Sequence, residues 1–235
     1  MGREPELSIA VPLYNEEENI ERVIGELTER LDKEGVDYEL VLVNNGSRDA
    51  TPSLIERMAS ENERIRPVHL RENQGYGGGI LAGLRLCRGR WVGYMWGDDQ
   101  VVADDVLRVF RELRDGRLDL CKARRVERHD GLQRRLITKT YNAVFPLFFK
   151  VSTTDVNGCP KLMRREVFEA LRIRSTDWFI DAEIMIKAER RGLAVGEVPV
   201  VFHERKKGSS SVNYRTVLEF IANMFRHRFN GFFDE

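Results

Sequence analysis

The sequence predicts an α/β protein, a mostly parallel sheet flanked by helices in a single domain, and three observations predict it. Short apolar runs alternate with amphipathic stretches of helical length, which is the pattern of right-handed βαβ units. The apolar runs are nearly continuous, as strands buried on both faces require. Several of them end abruptly in clusters of polar residues, and in open α/β sheets the carboxyl ends of strands are where ligands bind.

The elements follow in order. "LSIAVPLY" reads as a buried strand, and "EEENIERVIGELTERLDKEG" as an amphipathic helix closed by Gly35. "YELVLVNN" is a second strand, with a helix from Pro52 to Glu61 after it, and "IRPVHL" is a third strand. The glycine-rich "NQGYGGGILAGLRLCRG" opens a helix that closes near Gly89. "RWVGYMW" is the fourth strand and "ADDVLRVFRELRDG" the helix behind it. Beyond Leu120 the periodicity loosens, so the remaining elements are expected to pack onto the same sheet.

Composition sets limits on function. At 235 residues, 42% hydrophobic and 32% charged, the chain is long and apolar enough to bury one substantial core. Its formal net charge of zero gives no global electrostatic reason to expect nucleic acid, and none is expected as a partner. Cys87, Cys121 and Cys159 are odd in number and widely spaced, which suits free thiols in a reducing compartment rather than a disulfide framework or a metal cluster. The start "MGREPELSIAVPLYNEEENI" carries acidic residues where a signal peptide has its apolar stretch, and no run of 18 apolar residues occurs.

The stretch "LVLVNNGSRDAT" ends a strand in two carboxamides, a glycine and a hydroxyl, a polar rim that asks for a ligand. "GYGGG" has neither dinucleotide-fingerprint spacing nor a P-loop lysine, so Gly77, Gly78 and Gly79 are read as allowing close approach rather than as a phosphate cradle. "YMWGDDQ" delivers Asp98, Asp99 and Gln100 at the end of the fourth strand. These are oxygen ligands suited to Mg²⁺ or Mn²⁺, although a turn or helix cap uses the same residues.

Seven stretches in order carry a resemblance: "VPLYNEEENI", "VNNGSRDAT", "NQGYGGGILAGL", "GDDQ", "DVNGCPKLMRREVF", "FIDAEIMIKAERRG" and "ERKKGSSSV". Together they are similar to family 2 glycosyltransferases of the GT-A fold, Rossmann-like in architecture, in the branch of polyprenyl-phosphate sugar synthases. The resemblance implies a GT-A domain over residues 1–215, with a nucleotide-binding half at 1–118 and an acceptor half at 119–215, followed by an amphipathic helix at 216–235. It implies that Pro12, Tyr14, Asn15 and Glu16, with Asn44, Asn45, Ser47 and Asp98, line the nucleotide pocket. Asp98 and Gln100 match the metal motif, whose first aspartate is here Trp96; Asp99 or water would complete the shell. Arg124 matches an arginine following the fifth strand, and with Arg134 or Arg135 would hold an acceptor phosphate. Arg205, Lys206, Ser209 and Ser210 match a loop closing over the donor phosphates.

The implied activity is metal-dependent, inverting transfer of a sugar from a nucleotide-diphosphate donor to a polyprenyl phosphate. An anionic acceptor needs no strong base; a hydroxyl acceptor would need one, and Asp181 is then the candidate, unless it caps its helix. Trp96 and the Asn pair also leave room for a non-catalytic nucleotide-sugar binder. Asn both donates and accepts hydrogen bonds, so a UDP-, GDP- or CDP-linked donor is expected. His203 is read as a structural histidine. Basic, aromatic-rich segments, "RRLITKTYNAVFPLFFKV" and "LEFIANMFRHRFNGFF", suggest peripheral attachment to the cytoplasmic face of a membrane or, for the second, a homo-oligomer contact.

Overall fold

A computed structural model of the chain describes residues 4–128, 145 and 148–202. Seven strands form one sheet: β1 (Leu7–Leu13), β2 (Tyr38–Asn45), β3 (Ile65–Leu70), β4 (Trp91–Tyr94), β5 (Leu120–Arg128), β6 (Lys161–Arg164) and β7 (Val195–Phe202). Among the described residues, helices α1 (Ile20–Lys33), α2 (Thr51–Glu61), α3 (Gly75–Leu84), α4 (Ala103–Asp115), α5 (Arg165–Leu171) and α6 (Ile180–Arg190) accompany them. The mostly parallel sheet expected from the sequence is present, and all the elements after Leu120 that pair do so on this same sheet.

The strand order is β3-β2-β1-β4-β6-β5-β7. β1 pairs in parallel with β2 on one side and β4 on the other, and β5 pairs in parallel with β7; β6 runs antiparallel between β4 and β5. Chain order therefore reverses between β1 and β4. At such a switch point the loops leaving two neighbouring strands diverge and open a crevice. Here those loops carry Pro12 to Asn19 and Met95 to Val102.

β2 is buried along its whole length, which explains why its sequence is an unbroken apolar run apart from Glu39 and the terminal asparagines. Burying a side chain such as Leu40 or Val41 contributes about 1.5–3 kcal/mol. Glu39 is tolerated because it is fully paired: it accepts from Ser8 Oγ at 2.9 Å and from Arg88 Nε at 2.9 Å. α1 and α4 are clasped by ion pairs Arg30–Asp104 and Arg111–Glu34. The three cysteines are buried free thiols, and burial pushes the Cys121 thiol up to about 12, so it is unreactive at neutral pH. Among the described residues no helix is long and apolar enough to cross a membrane.

The glycine run has the structural role read from its spacing. A Cβ on Gly77 would lie 2.6 Å from the carbonyl oxygen of Asp177 and 2.7 Å from the carbonyl carbon of Thr176, so α3 abuts the 175–178 loop backbone to backbone. The Gly78 N–H donates to Thr176 O at 2.8 Å, so this amide near the helix start is spent on protein. Gly77→Ala is expected to cost about 1–3 kcal/mol by overpacking. Gly25→Ala on α1, where nothing lies within 4 Å of the new carbon, is expected to stabilise by about 0.5–1 kcal/mol. Paired melting curves check this, and equal shifts would refute the close-packing role.

The carboxyl half of the sheet holds a buried ionic ladder. Lys122 and Lys161 are cross-strand neighbours on β5 and β6, both fully buried. Lys122 Nζ pairs with Glu197 Oε1 at 2.8 Å and donates to Asp155 O at 2.6 Å. Desolvation lowers the Lys122 pKa, and the Glu197 charge opposes it. Arg125 forms a two-pronged pair with Asp155, Nε at 2.8 Å and Nη2 at 2.6 Å. Burial alone would push the Asp155 carboxyl up, but the Arg125 guanidinium, with Lys122 behind it, holds it well below its ordinary 3.8. A folded-state pKa below the unfolded one gives stability that is complete above the ordinary carboxylate range and is lost as pH falls toward the depressed value. Urea denaturation from about pH 5 down to about pH 3 should therefore show a falling stability. Asp155→Asn should flatten that slope while costing about 3 kcal/mol or more at neutral pH, because Arg125 loses its buried counter-charge.

Candidate active site

Two loops meet at the switch point beside the β1 and β2 ends. Asn15 adopts a left-handed backbone (φ +56°), which asparagine tolerates better than most residues. In that conformation its N–H donates to Ser47 Oγ at 3.0 Å, and its Oδ1 accepts from the Arg48 N–H at 2.9 Å. The Glu16 N–H reaches Thr51 Oγ1 at 2.9 Å, and Glu17 Oε2 accepts from the Ala50 N–H at 2.8 Å. Pro12, Tyr14, Asn15, Glu16 and Ser47 thus belong to one knitted shelf, on which Tyr14 stands 44% exposed. Gly46 completes the shelf: its φ of +74° excludes most residues, and a Cβ there would lie 2.5 Å from the Asn73 nitrogen.

The Asn pair, expected to read the nucleobase, makes several hydrogen bonds within the protein. Asn44 Oδ1 accepts from the Ser47 N–H at 2.8 Å, and its Nδ2 lies 3.2 Å from His69 Nδ1. That pairing puts the His69 proton on Nε2, which faces Glu56 Oε1 at 2.8 Å. Asn45 Nδ2 donates to Gly75 O at 2.9 Å, and Asn45 Oδ1 accepts from the Gln74 N–H at 2.9 Å. Both amides are buried, and a buried amide must satisfy its donors and acceptor locally. They hold the β2–α2 and β3–α3 loops in place.

Across the switch point, β4 ends at Tyr94 and the chain turns through Trp96, Gly97, Asp98, Asp99 and Gln100. The Asp98 side of this turn lies at the crevice, 9% exposed, with its Oδ1 3.3 Å from the Gln100 N–H. Asp99 is committed elsewhere: it takes a left-handed backbone (φ +64°) and forms an ion pair with Arg22 on α1. Asp99 therefore does not stand in for the carboxylate missing at Trp96. Among the described residues no group of three His, Cys, Asp or Glu side chains is placed to hold a metal alone. One carboxylate and one carboxamide oxygen still fit a hard cation that draws the rest of its shell from phosphate oxygens and water, as Mg²⁺ readily does.

Asp181 is neither an open base nor a helix cap. It is 1% exposed and sits in the first turn of α6, whose amino end has no side-chain cap. Its Oδ2 accepts from the Tyr76 hydroxyl at 2.9 Å, and its Oδ1 from the Tyr94 hydroxyl and from Lys161 Nζ. Desolvation, then the Asp181 charge, raises the pKa of both tyrosines well above the ordinary value, keeping them donors. Glu183 is also buried, accepting from the Arg174 and Ser175 backbone and from Lys187. A carboxylate so fully hydrogen-bonded is placed to hold its neighbours, not to take a proton from a substrate.

Arg124 lies within β5 rather than after it, half-buried, its Nε 3.8 Å from Glu197 Oε2. Arg134, Arg135, His203, Arg205, Lys206, Ser209, Ser210 and the segment 216–235 lie outside the described residues. Sequence reasoning missed Tyr76, Tyr94, Lys161, Trp178, Arg125 and Asp155. Tyr76 was visible only as an odd aromatic among glycines, and Lys161 only as a basic residue in a strand too short to show its period. A surface depression of about 440 Å³ along α4 and β7, lined by Arg108, Arg111 and Pro199, holds none of the expected residues. A smaller one of about 340 Å³ touches the shelf at Asn15 and Arg48.

The sequence and the fold have counterparts among known proteins. Residues 8–172 match the model of the family described as glycosyl transferase family 2. The chain is 30% identical over 239 residues to a dodecaprenyl-phosphate galacturonate synthase of Rhizobium johnstonii, covering 96% of this chain and 68% of that protein. It is 29% identical over 216 residues to the glycosyltransferase AglD of Haloferax volcanii, covering 88% of this chain but only 34% of that protein's length. Among solved structures, the mannosyltransferase PcManGT of Pyrobaculum calidifontis, in complex with GDP-Man and Mn²⁺, superposes with a TM-score of 0.66 at 22% identity, covering 99% of this chain and 65% of that one. That likeness concerns the fold, which is of the GT-A type. By the extent of the family match and the identity to the synthase, the chain belongs to glycosyl transferase family 2.

Proposed function

We propose that this protein transfers a sugar from a nucleotide-diphosphate donor to a polyprenyl phosphate at a membrane surface, with Mg²⁺ or Mn²⁺ as cofactor. The observation that carries the reading is Asp98, a carboxylate at the end of β4 beside the β1–β4 switch point, in a chain of this family. The relative from Rhizobium johnstonii is described as a polyprenyl-phosphate sugar synthase, which supports the acceptor class.

Asp98 and Gln100 would hold the cation. When bound, it supplies positive charge that stabilises the diphosphate as it leaves. The shelf from Pro12 to Glu16 with Ser47 supports the nucleoside, with the exposed Tyr14 ring as its apolar surface. Arg124 on β5, with Arg134 or Arg135, would attract and orient the acceptor phosphate. Arg205 and Lys206, with Ser209 and Ser210, close over the donor phosphates.

The fully engaged Asp181 and Glu183 favour an acceptor that brings its own negative charge. A lipid phosphate is already anionic near neutral pH, so no base is needed, and its oxygen can attack the anomeric carbon directly once oriented. A hydroxyl acceptor would require freeing a carboxylate from three partners.

The test is transfer from a panel of UDP-, GDP- and CDP-sugars to undecaprenyl or dolichyl phosphate, followed by extraction of the glycolipid. Activity should need Mn²⁺ or Mg²⁺ and vanish with chelator. Asp98→Asn should lose about 100-fold or more in kcat. Transfer only to saccharide hydroxyls, or binding of donors with no turnover, would overturn the reading. Asp181→Asn is expected to lower stability by about 3–5 kcal/mol, since Lys161 loses its buried partner. The shape of the pH–rate profile should be unchanged; loss of an acidic limb would make Asp181 the base after all.

A further inference from the structure

His69 is a titratable side chain away from the Asp98 turn, and its hydrogen bonds lead to the shelf. It stands opposite Asn44 in the β2–β3 register. From there the contacts run inward. His69 Nδ1 lies 3.2 Å from Asn44 Nδ2, Asn44 Oδ1 accepts from the Ser47 N–H at 2.8 Å, and Ser47 Oγ accepts from the Asn15 N–H at 3.0 Å. Asn15 Oδ1 in turn accepts from the Arg48 N–H at 2.9 Å, which ties the loop after β1 to the loop after β2.

The polarity of this chain is fixed from the Ser47 end. A backbone N–H can only donate, so Asn44 must turn its oxygen to Ser47 and its NH₂ to the imidazole. His69 Nδ1 is therefore the bare, accepting nitrogen, and the ring proton sits on Nε2 against Glu56 Oε1 at 2.8 Å. A second proton would set N–H against NH₂. Asn44 could relieve that clash only by turning its oxygen away from Ser47, which releases the turn that holds Asn15. Asn44 is 6% exposed, so water cannot readily replace the lost bond. Around the ring, Glu56 of α2 is the ionised group in contact and favours the protonated form, while β2 brings the neutral Asn44. Arg57 of α2 is paired with Glu21, Arg66 of β3 lies against Leu86 O and Glu39, and Arg71 beyond β3 is exposed.

We propose that His69 is a positioning residue of the donor site, its neutral ring locking the shelf through Asn44 and Ser47 in the shape that receives the nucleotide. This role rests on the nucleotide-diphosphate donor proposed above. It sets nucleotide binding and protonation of His69 against each other, and by reciprocity each weakens the other by the same factor.

The experiment is calorimetric titration with UDP, GDP and CDP in Mg²⁺ from about pH 8 to about pH 5.5, a range across which histidine changes charge. The diphosphate itself takes up a proton there, so the readout is the parent compared with His69→Asn, whose Oδ1 can accept in place of Nδ1 but cannot titrate. For the nucleotide that binds, the parent should lose about tenfold more affinity across this range than His69→Asn. His69→Leu, which has no acceptor, should bind about tenfold more weakly than the parent at pH 8, and His69→Asn should recover most of that loss. Melting curves of each variant exclude loss of fold as the cause. In nitrogen NMR of the free protein, the His69 ring is identified by its absence from the His69→Asn spectrum and should carry its proton on Nε2. Adding nucleotide should move its titration about one pH unit lower. Identical pH slopes for the parent and His69→Asn, parental affinity in His69→Leu, or a ring proton on Nδ1 would each overturn the lock and leave the donor reading standing. If none of the nucleotides binds the parent at pH 8, the donor reading itself fails and the lock with it.

Discussion

A carboxylate that is almost completely excluded from water has to be compensated where it stands, and around Asp181 three other elements do so. Lys161 from β6 supplies the opposite charge, Tyr94 from β4 and Tyr76 from α3 supply hydroxyl hydrogens, and α6 carries the carboxylate itself. Removing any one partner would leave a buried polar group short of a bond, a cost of about 1–3 kcal/mol, or more where charge is involved. The arrangement is therefore all-or-none. Through Tyr76 it also reaches Trp96, so the residue that replaces an acidic ligand is oriented by the same network. Strands β4 and β6 and helices α3 and α6 are held in one register by a single buried charge.

The same logic accounts for the two buried lysines. Lys122 and Lys161 stand side by side on neighbouring strands, where like charges would repel strongly in a low-dielectric interior. Each is neutralised by a different partner, Glu197 on β7 and Asp181 on α6. Strand β6, antiparallel between parallel neighbours, brings these pairs together. Its presence fixes how β5 and β7 meet β4, and so where Arg124 and Phe202 lie relative to Asp98.

Much of the fold was legible in the chain. β2 and β3 fall on "YELVLVNN" and "IRPVHL" residue for residue, because their apolar runs are bounded by turn-forming glycines, prolines and charges. α1 begins at Ile20, four residues later than its acidic lead-in suggested, because Glu16 to Asn19 are spent on the loop shelf. Asp98 was legible from its place at a strand end. The roles of Asn45 and Asp181 were not, since residue type shows what a side chain can bond but not which partners the fold brings to it. Nothing in the sequence marked Lys161 and Lys122 as buried, for the same reason. Their burial depends on carboxylates 20 to 75 positions away in sequence.

Position 96 shows how charge arithmetic shapes such a site. On the proposed reaction the crevice must hold a diphosphate and an acceptor phosphate together, both anionic, with the Asp181 carboxylate one hydrogen-bonded residue away from position 96. At an effective dielectric near 20, a further negative charge about 6 Å from one of these groups would be repelled by roughly 3 kcal/mol. Trp96 removes that repulsion and presents a neutral N–H to Tyr76 instead. The loss is one oxygen ligand to the cation, which water can replace. For a neutral hydroxyl acceptor one of these repulsions would be absent, and a free base would be an asset. On the proposed reaction, a tryptophan at this position, with Asp181 and Glu183 of α6 both hydrogen-bonded within the protein, suits a nucleophile that arrives already charged.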